Sequence, residues 1–196
     1  MHFNTIISLL FIFSLYIVVN PLGIDEINLI IKLINDRRST LAKGEMEELP
    51  SASNMNKLSY SKLFEGMAQT TARKCSIDGT SYGGIASYYS EENSGNGWEE
   101  VINSWTFEGK EGLDNELKPK ENAKNFAQMF YAKNKEVGCG KAECIDKKLF
   151  VCFGQQQTMN GPLYEKGEIC KKCETGKCDQ GSVQFIHQYH NKKGKE

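Results

Sequence analysis

Seven cysteines, all of them after position 74, constrain this 196-residue chain more than any other feature. Thiols confined to one part of a chain either cross-link it or stay reduced for chemistry, and the compartment decides which. The N-terminus speaks to the compartment. "TIISLLFIFSLYIVV", Thr5 to Val19, is an uncharged apolar run. It fits the core of a secretory signal better than a membrane span, which needs roughly 20 residues. "MHFN" carries no Lys or Arg and "NPLG" is a poor small-residue cleavage site, so an uncleaved anchor is the alternative. The expectation is a signal peptide over 1–20, a secreted extracellular protein and a disulfide framework with one thiol left over, because seven is odd. No N-x-S/T acceptor occurs, so N-glycosylation is not expected.

Charge excludes one large class of partner. Lys and Arg total 24 against 25 Asp and Glu, a net charge of −1, so nothing points to nucleic acid or to an acidic surface as a global partner. The basic ending "HNKKGKE" reads as a solvated terminus.

Periodicity supplies the elements. "IDEINLIIKLINDRRSTLAKGE" places Ile24, Ile27, Ile31, Ile34 and Leu41 near helical spacing, with Asp25 and Glu26 in the first turn and Gly44 as a stop. The polar stretch "MEELPSASNMNK" reads as a loop. "SYSKLFEGMAQTTARKC" predicts a second helix lined by Tyr60, Leu63, Phe64, Met67, Ala68 and Ala72, with Leu63 and Tyr131 among the expected core residues. "IASYY" is a short strand or an extended loop. "GWEEVINSWTFEGK" is a third helix, apolar at Trp98, Val101, Ile102 and Trp105, and "ENAKNFAQMFYAKN" a fourth, apolar at Phe126, Met129 and Phe130. "EVGCGKAEC" and "KLFVCFGQ", joined by "IDKK", have the lengths of a hairpin. Helices covering an antiparallel sheet make an α+β sandwich.

In this order the segments resemble the CAP superfamily: cysteine-rich secretory proteins, antigen 5 and pathogenesis-related 1 proteins, also called SCP or TAPS. The likeness is greatest to the secreted nematode members. "NSWTFE" resembles the family's W-x-x-E segment, "NFAQMFYAKNKEVGCGKAEC" its H-x-T-Q-M-x-W-A element with the following strand, "LFVCF" its V-C-N-Y segment, and "GPLYEKGEICKKC" the exit into its cysteine-rich hinge. The resemblance implies a three-layer α-β-α sandwich with a small antiparallel sheet over 24–164, a hinge over 165–182 and a tail over 183–196. It also implies the disulfides Cys75–Cys144, Cys139–Cys152 and Cys170–Cys178. Cys173 is then the candidate free thiol, since "DQGSVQF" stands where its partner would be; a Cys173–Cys178 pair with Cys170 unpaired is the other arrangement.

Many members of the family bring two histidines and two glutamates together in a cleft, a donor set suited to a divalent metal. Carried over segment by segment, the first histidine falls on Gly79 and the first glutamate on Ile85, or on Gly84 if the alignment slips by one. The second glutamate falls on Glu108 and the second histidine on Asn125. Only Glu108 is retained. His2, His187 and His190, the three histidines of the chain, lie in the signal or beyond the hinge. No metal, no cofactor and no catalytic residue is therefore expected. Cys173 has only the hinge neighbours Lys171, Lys172 and Glu174, which do not make an activated nucleophile. The resulting expectation is a secreted, non-catalytic module that binds an extracellular protein or receptor. A sterol or fatty-acid carrier is the alternative, and a disulfide-linked dimer through Cys173 is a further expectation.

Overall fold

The computed structural model describes residues 21–77, 83–89, 97–157 and 160–172. Helix α1 runs Ile24–Lys43 and stops where expected: Gly44 takes the left-handed conformation at φ 74°. The N–H groups of Gly44 and Glu45 then return to the carbonyls of Leu41 and Thr40, a closure that a Cβ would strain. Ile27, Ile30, Ile34 and Leu41 are buried along its inner face. Ile24 is 68% exposed, because it lies at the rim of that stripe one turn before the core begins.

Strand β1 is only Ser59–Tyr60, and α2 follows over Lys62–Ala72. Strand β2 is Gly84–Tyr89, so "IASYY" is strand rather than loop. Helix α3, Trp98–Phe107, buries Trp98, Val101, Ile102 and Trp105 as their spacing predicts. A one-turn helix α4, Gly109–Gly112, continues it. After a 3-10 turn at Glu121–Ala123 comes α5, Lys124–Phe130. The hairpin is β3, Glu136–Glu143, and β4, Lys148–Gly154.

The sheet order is β1-β3-β4-β2. Both β2 and β3 pair antiparallel with β4, while β1 pairs parallel with β3 through Ser59↔Glu136 and Tyr60↔Val137. The sheet is thus antiparallel except at that edge. Alternation along β4 divides the interior in two. Leu149, Val151 and Phe153 meet Phe64, Ala68 and Ala72 of α2 on one side. Phe150 and Cys152 join the larger core under α1, α3 and α5 on the other. Trp98 meets Phe150 edge to face at 4.7 Å, and Phe126 stacks on Phe130 at 4.3 Å. Three layers result: α2, the sheet, and the remaining helices.

Two disulfides hold this arrangement as the resemblance implied. Cys139–Cys152 joins residues directly opposite in the hairpin. Cys75–Cys144 ties the end of α2 to the hairpin tip across a separation of 69 residues. Cys173 and Cys178 lie outside the described residues, and with them the third pairing and the thiol left over.

Three expectations about the helices are corrected. The second helix is shorter at its start, because Ser59 and Tyr60 join the sheet. Its inner face is also different. Leu63 is 73% exposed and Met67 39%, while Ser61, Glu65, Ala68, Thr71 and Ala72 are buried. The cause is the surface beneath it: Gly138 and Gly140 of β3 let α2 come so close that a Cβ at Gly138 would lie 2.2 Å from Glu65 N and one at Gly140 2.5 Å from Gln69 N. Small side chains, not large ones, fit that contact. The fourth helix ends at Phe130, not Asn134, because Tyr131 is extended at ψ 113° and Ala132 N–H turns away to Leu163 O. Tyr131 is accordingly half-buried rather than core.

Candidate functional site

Glu108 and Asn125, onto which the family resemblance carries one glutamate and one histidine, are in direct contact. Glu108 sits at the junction of α3 and α4, and Asn125 in the first turn of α5. Glu108 Oε2 accepts the N–H groups of Asn125 at 2.9 Å and Phe126 at 3.0 Å. Its Oε1 accepts Asn125 Nδ2 at 2.7 Å. The first amides of any helix lack internal partners, and a carboxylate at the positive helix end satisfies them well. The reach is possible because Gly109 lies against the Phe126 ring: a Cβ there would be 2.1 Å from Cε2. Both side chains are half-buried.

Of the other two positions, Ile85 alone lies among the described residues. Ile85, on β2 opposite Cys152, is 5% exposed and belongs to the apolar core. With Gln128, Met129 and Phe153 it borders a crevice of ≈ 10 Å³, at the lower limit for one water. Gly79 and all three histidines lie outside the described residues. Among the described residues, no three His, Cys, Asp or Glu side chains are grouped to hold a metal ion. A carboxylate that accepts three N–H bonds, with a neutral amide for its side-chain partner, does not fit a divalent cation. The stretch Gly79–Gly83 spells G-x-S-x-G. Of this stretch only Gly83 lies among the described residues; in the chain it comes after α2 and before β2, whereas the nucleophile elbow needs a strand before it and a helix after it.

Two features were not read from the sequence. Arg38 is 1% exposed and has carbonyls for partners: Asn56 O from Nε and Nη2 at 3.1 and 2.7 Å, Met129 O at 2.6 Å and Tyr131 O at 3.1 Å from Nη1. It thereby caps the negative end of α5, so this short helix lies between an acid at one end and a guanidinium at the other. Burial lowers the Arg38 pKa to about 9, which leaves it charged at neutral pH. A signal existed, since Arg38 falls between Ile34 and Leu41 on the apolar stripe of α1. The second feature is a groove of ≈ 390 Å³ between α1, α3 and the loop after Gly44. Arg37, Met46, Leu49, Asn103, Phe107 and Lys110 are among its lining residues. Arg37 Nη2 donates to Asn103 Oδ1 at 2.6 Å, and Lys110 Nζ lies 3.5 Å from Glu47 at the surface.

Residues 31–153 match the model of the CAP family, the cysteine-rich secretory protein family, and the chain belongs to that family. It is 30% identical over 165 residues to venom allergen 5 of Dolichovespula arenaria, covering 72% of this chain and 81% of the allergen. It is 26% identical over 137 residues to cysteine-rich venom protein Mr30 of Conus marmoreus, covering 62% of this chain but only 45% of that protein. Among solved structures, hookworm platelet inhibitor superposes with a TM-score of 0.67 at 25% identity, over 76% of this chain and 80% of its own.

Proposed function

We propose that this protein is a secreted, non-catalytic CAP module that binds an extracellular protein partner. The observation that supports this reading most is the use made of Glu108. The one acidic residue kept from the family's cleft is engaged in capping α5, and an aliphatic side chain stands at the other glutamate's position. Among the described residues no donor set for a metal is grouped around Glu108, and on this reading function lies on the outer surface. The relatives agree in kind: two are named as venom components and one as a platelet inhibitor. Secretion rests on the apolar N-terminus and on the disulfides, and no described helix is long and apolar enough to cross a membrane.

Immobilised mature protein should capture a defined extracellular protein, and Glu108→Ala should leave that capture intact. Loss of capture on Glu108→Ala with the fold preserved would return function to the cleft. Calorimetric titration with zinc should show no stoichiometric binding. A disulfide-linked dimer through Cys173 is part of the proposal, and a non-reducing gel of secreted protein reads it directly.

A second reading, carriage of a sterol or fatty acid, is favoured by the groove beside α1. Its volume of ≈ 390 Å³ lies in the range of small-molecule sites, and Met46, Leu49 and Phe107 give it apolar walls with Arg37 alongside. Saturable uptake of a labelled fatty acid or sterol, lost on Phe107→Glu, supports it; no saturable uptake removes it.

A further inference from the structure

We propose that the outer face of α2, with the adjoining hairpin tip, docks on an anionic phospholipid surface. This inference stands apart from the protein-partner reading and rests on different residues. Among the described residues α2 alone forms its layer of the sandwich, and the side it turns from the sheet carries Leu63 and Met67, 73% and 39% exposed. The Cys75–Cys144 disulfide brings two further apolar side chains to the end of the same layer: Ile77, 43% exposed, and Ile145, 99% exposed at the hairpin tip.

Charge identifies what these side chains meet. From Lys62 to Ile77 every exposed charge is positive: Lys62, Arg73 and Lys74; the single acid, Glu65, is buried beside Lys62. At the tip Lys147 and Lys148 are matched by Asp146 and by Glu143, which is paired with Lys148, and Lys62 is paired with Glu65, so the positive excess of the face is carried by Arg73 and Lys74. This excess occurs in a chain whose net charge is −1. Apolar residues projecting among cations are the pattern that enters a headgroup layer, with the side chains inserted and the cations held at the phosphates. The shape agrees: the apolar groups protrude singly, and no cavity described above is lined by them. A second copy of the chain is disfavoured, since a two-fold contact would set Arg73 and Lys74 against their own kind.

The test is co-sedimentation of the mature, disulfide-bonded protein with vesicles of phosphatidylcholine alone and of phosphatidylcholine with phosphatidylserine, at about 0.1 M salt. Binding to the anionic vesicles only, weakening as salt rises, is expected. R73E/K74E should weaken it by at least about tenfold, and L63S/I145S by roughly tenfold with the anionic preference kept. All of these positions are exposed, and circular dichroism checks that the variants fold. K192E/K193E/K195E separates any contribution of the basic tail. The proposal is overturned by equal or no binding to the two vesicle types, by indifference to either α2-face variant, or by loss in the tail variant alone. Binding to soluble polyglutamate but not to vesicles would assign the face to an acidic protein and overturn it equally.

Discussion

At Glu108 one carboxylate closes the first turn of α5 with both oxygens. Removing it leaves two backbone amides and an Asn125 amide without that acceptor. Glu108→Ala should therefore cost about 1–2 kcal/mol, the loss typical of a helix N-cap, seen as a lower urea midpoint with an unchanged slope. Tyr164 presents the opposite case. It is 2% exposed, and its hydroxyl has no hydrogen-bond partner among the described residues. Tyr164→Phe should be neutral or stabilising by up to about 1 kcal/mol at pH 7. Burial raises the Tyr164 pKa above its ordinary value of 10. The folded state then holds a proton that the unfolded state releases, so this contribution is complete below pH 10 and is lost as pH rises further. The stability difference between wild type and Tyr164→Phe should be flat to about pH 9 and then move in the variant's favour above pH 10, as chemical denaturation across that range will show.

At the level of elements, α2 and β3 make the contact most sensitive to a single methyl. Gly138→Ala should destabilise by about 3 kcal/mol or more, because the new Cβ meets the backbone at Glu65 N and at Ser61 O, 2.2 and 2.4 Å away. Gly66→Ala, on the exposed side of the same helix with nothing within 4 Å, should instead stabilise by about 0.5–1 kcal/mol. Thermal melts of the two variants decide both. The pair also explains what the sequence made legible. Trp98, Val101, Ile102 and Trp105 advertise their burial by size and spacing. The inner face of α2 advertises nothing, since close approach selects small residues and depends on glycines some 70 positions later. For the same reason Leu63 reads as core from its own segment and is exposed in the fold. Glu108 was locatable from its distance to Trp105, but its service as a cap was not, because that depends on where α5 begins.

At the scale of the whole molecule, the two disulfides among the described residues differ in access. Cys139 and Cys152 are 0% and 1% exposed, whereas Cys75 and Cys144 are half-buried. Graded reduction followed by alkylation and mass spectrometry should open Cys75–Cys144 first. On the chain-entropy account, losing that link across its 69-residue separation costs up to about 4 kcal/mol, enough to lower the melting temperature markedly. These pairings were legible because the cysteines stand at family positions, while the groove beside α1 was not, since it exists only once the loop after Gly44 folds back.

Arg38 has a consequence for how the chain is made. Its acceptors are the carbonyls of Asn56, Met129 and Tyr131, the last two of which leave the ribosome long after Arg38 itself. Until they arrive, the cation on the apolar side of α1 lacks most of its native ligands, and burying it would be costly. The N-terminal helix therefore cannot complete its packing during synthesis of the first half of the protein. Its burial is completed only with a segment that emerges some ninety residues later.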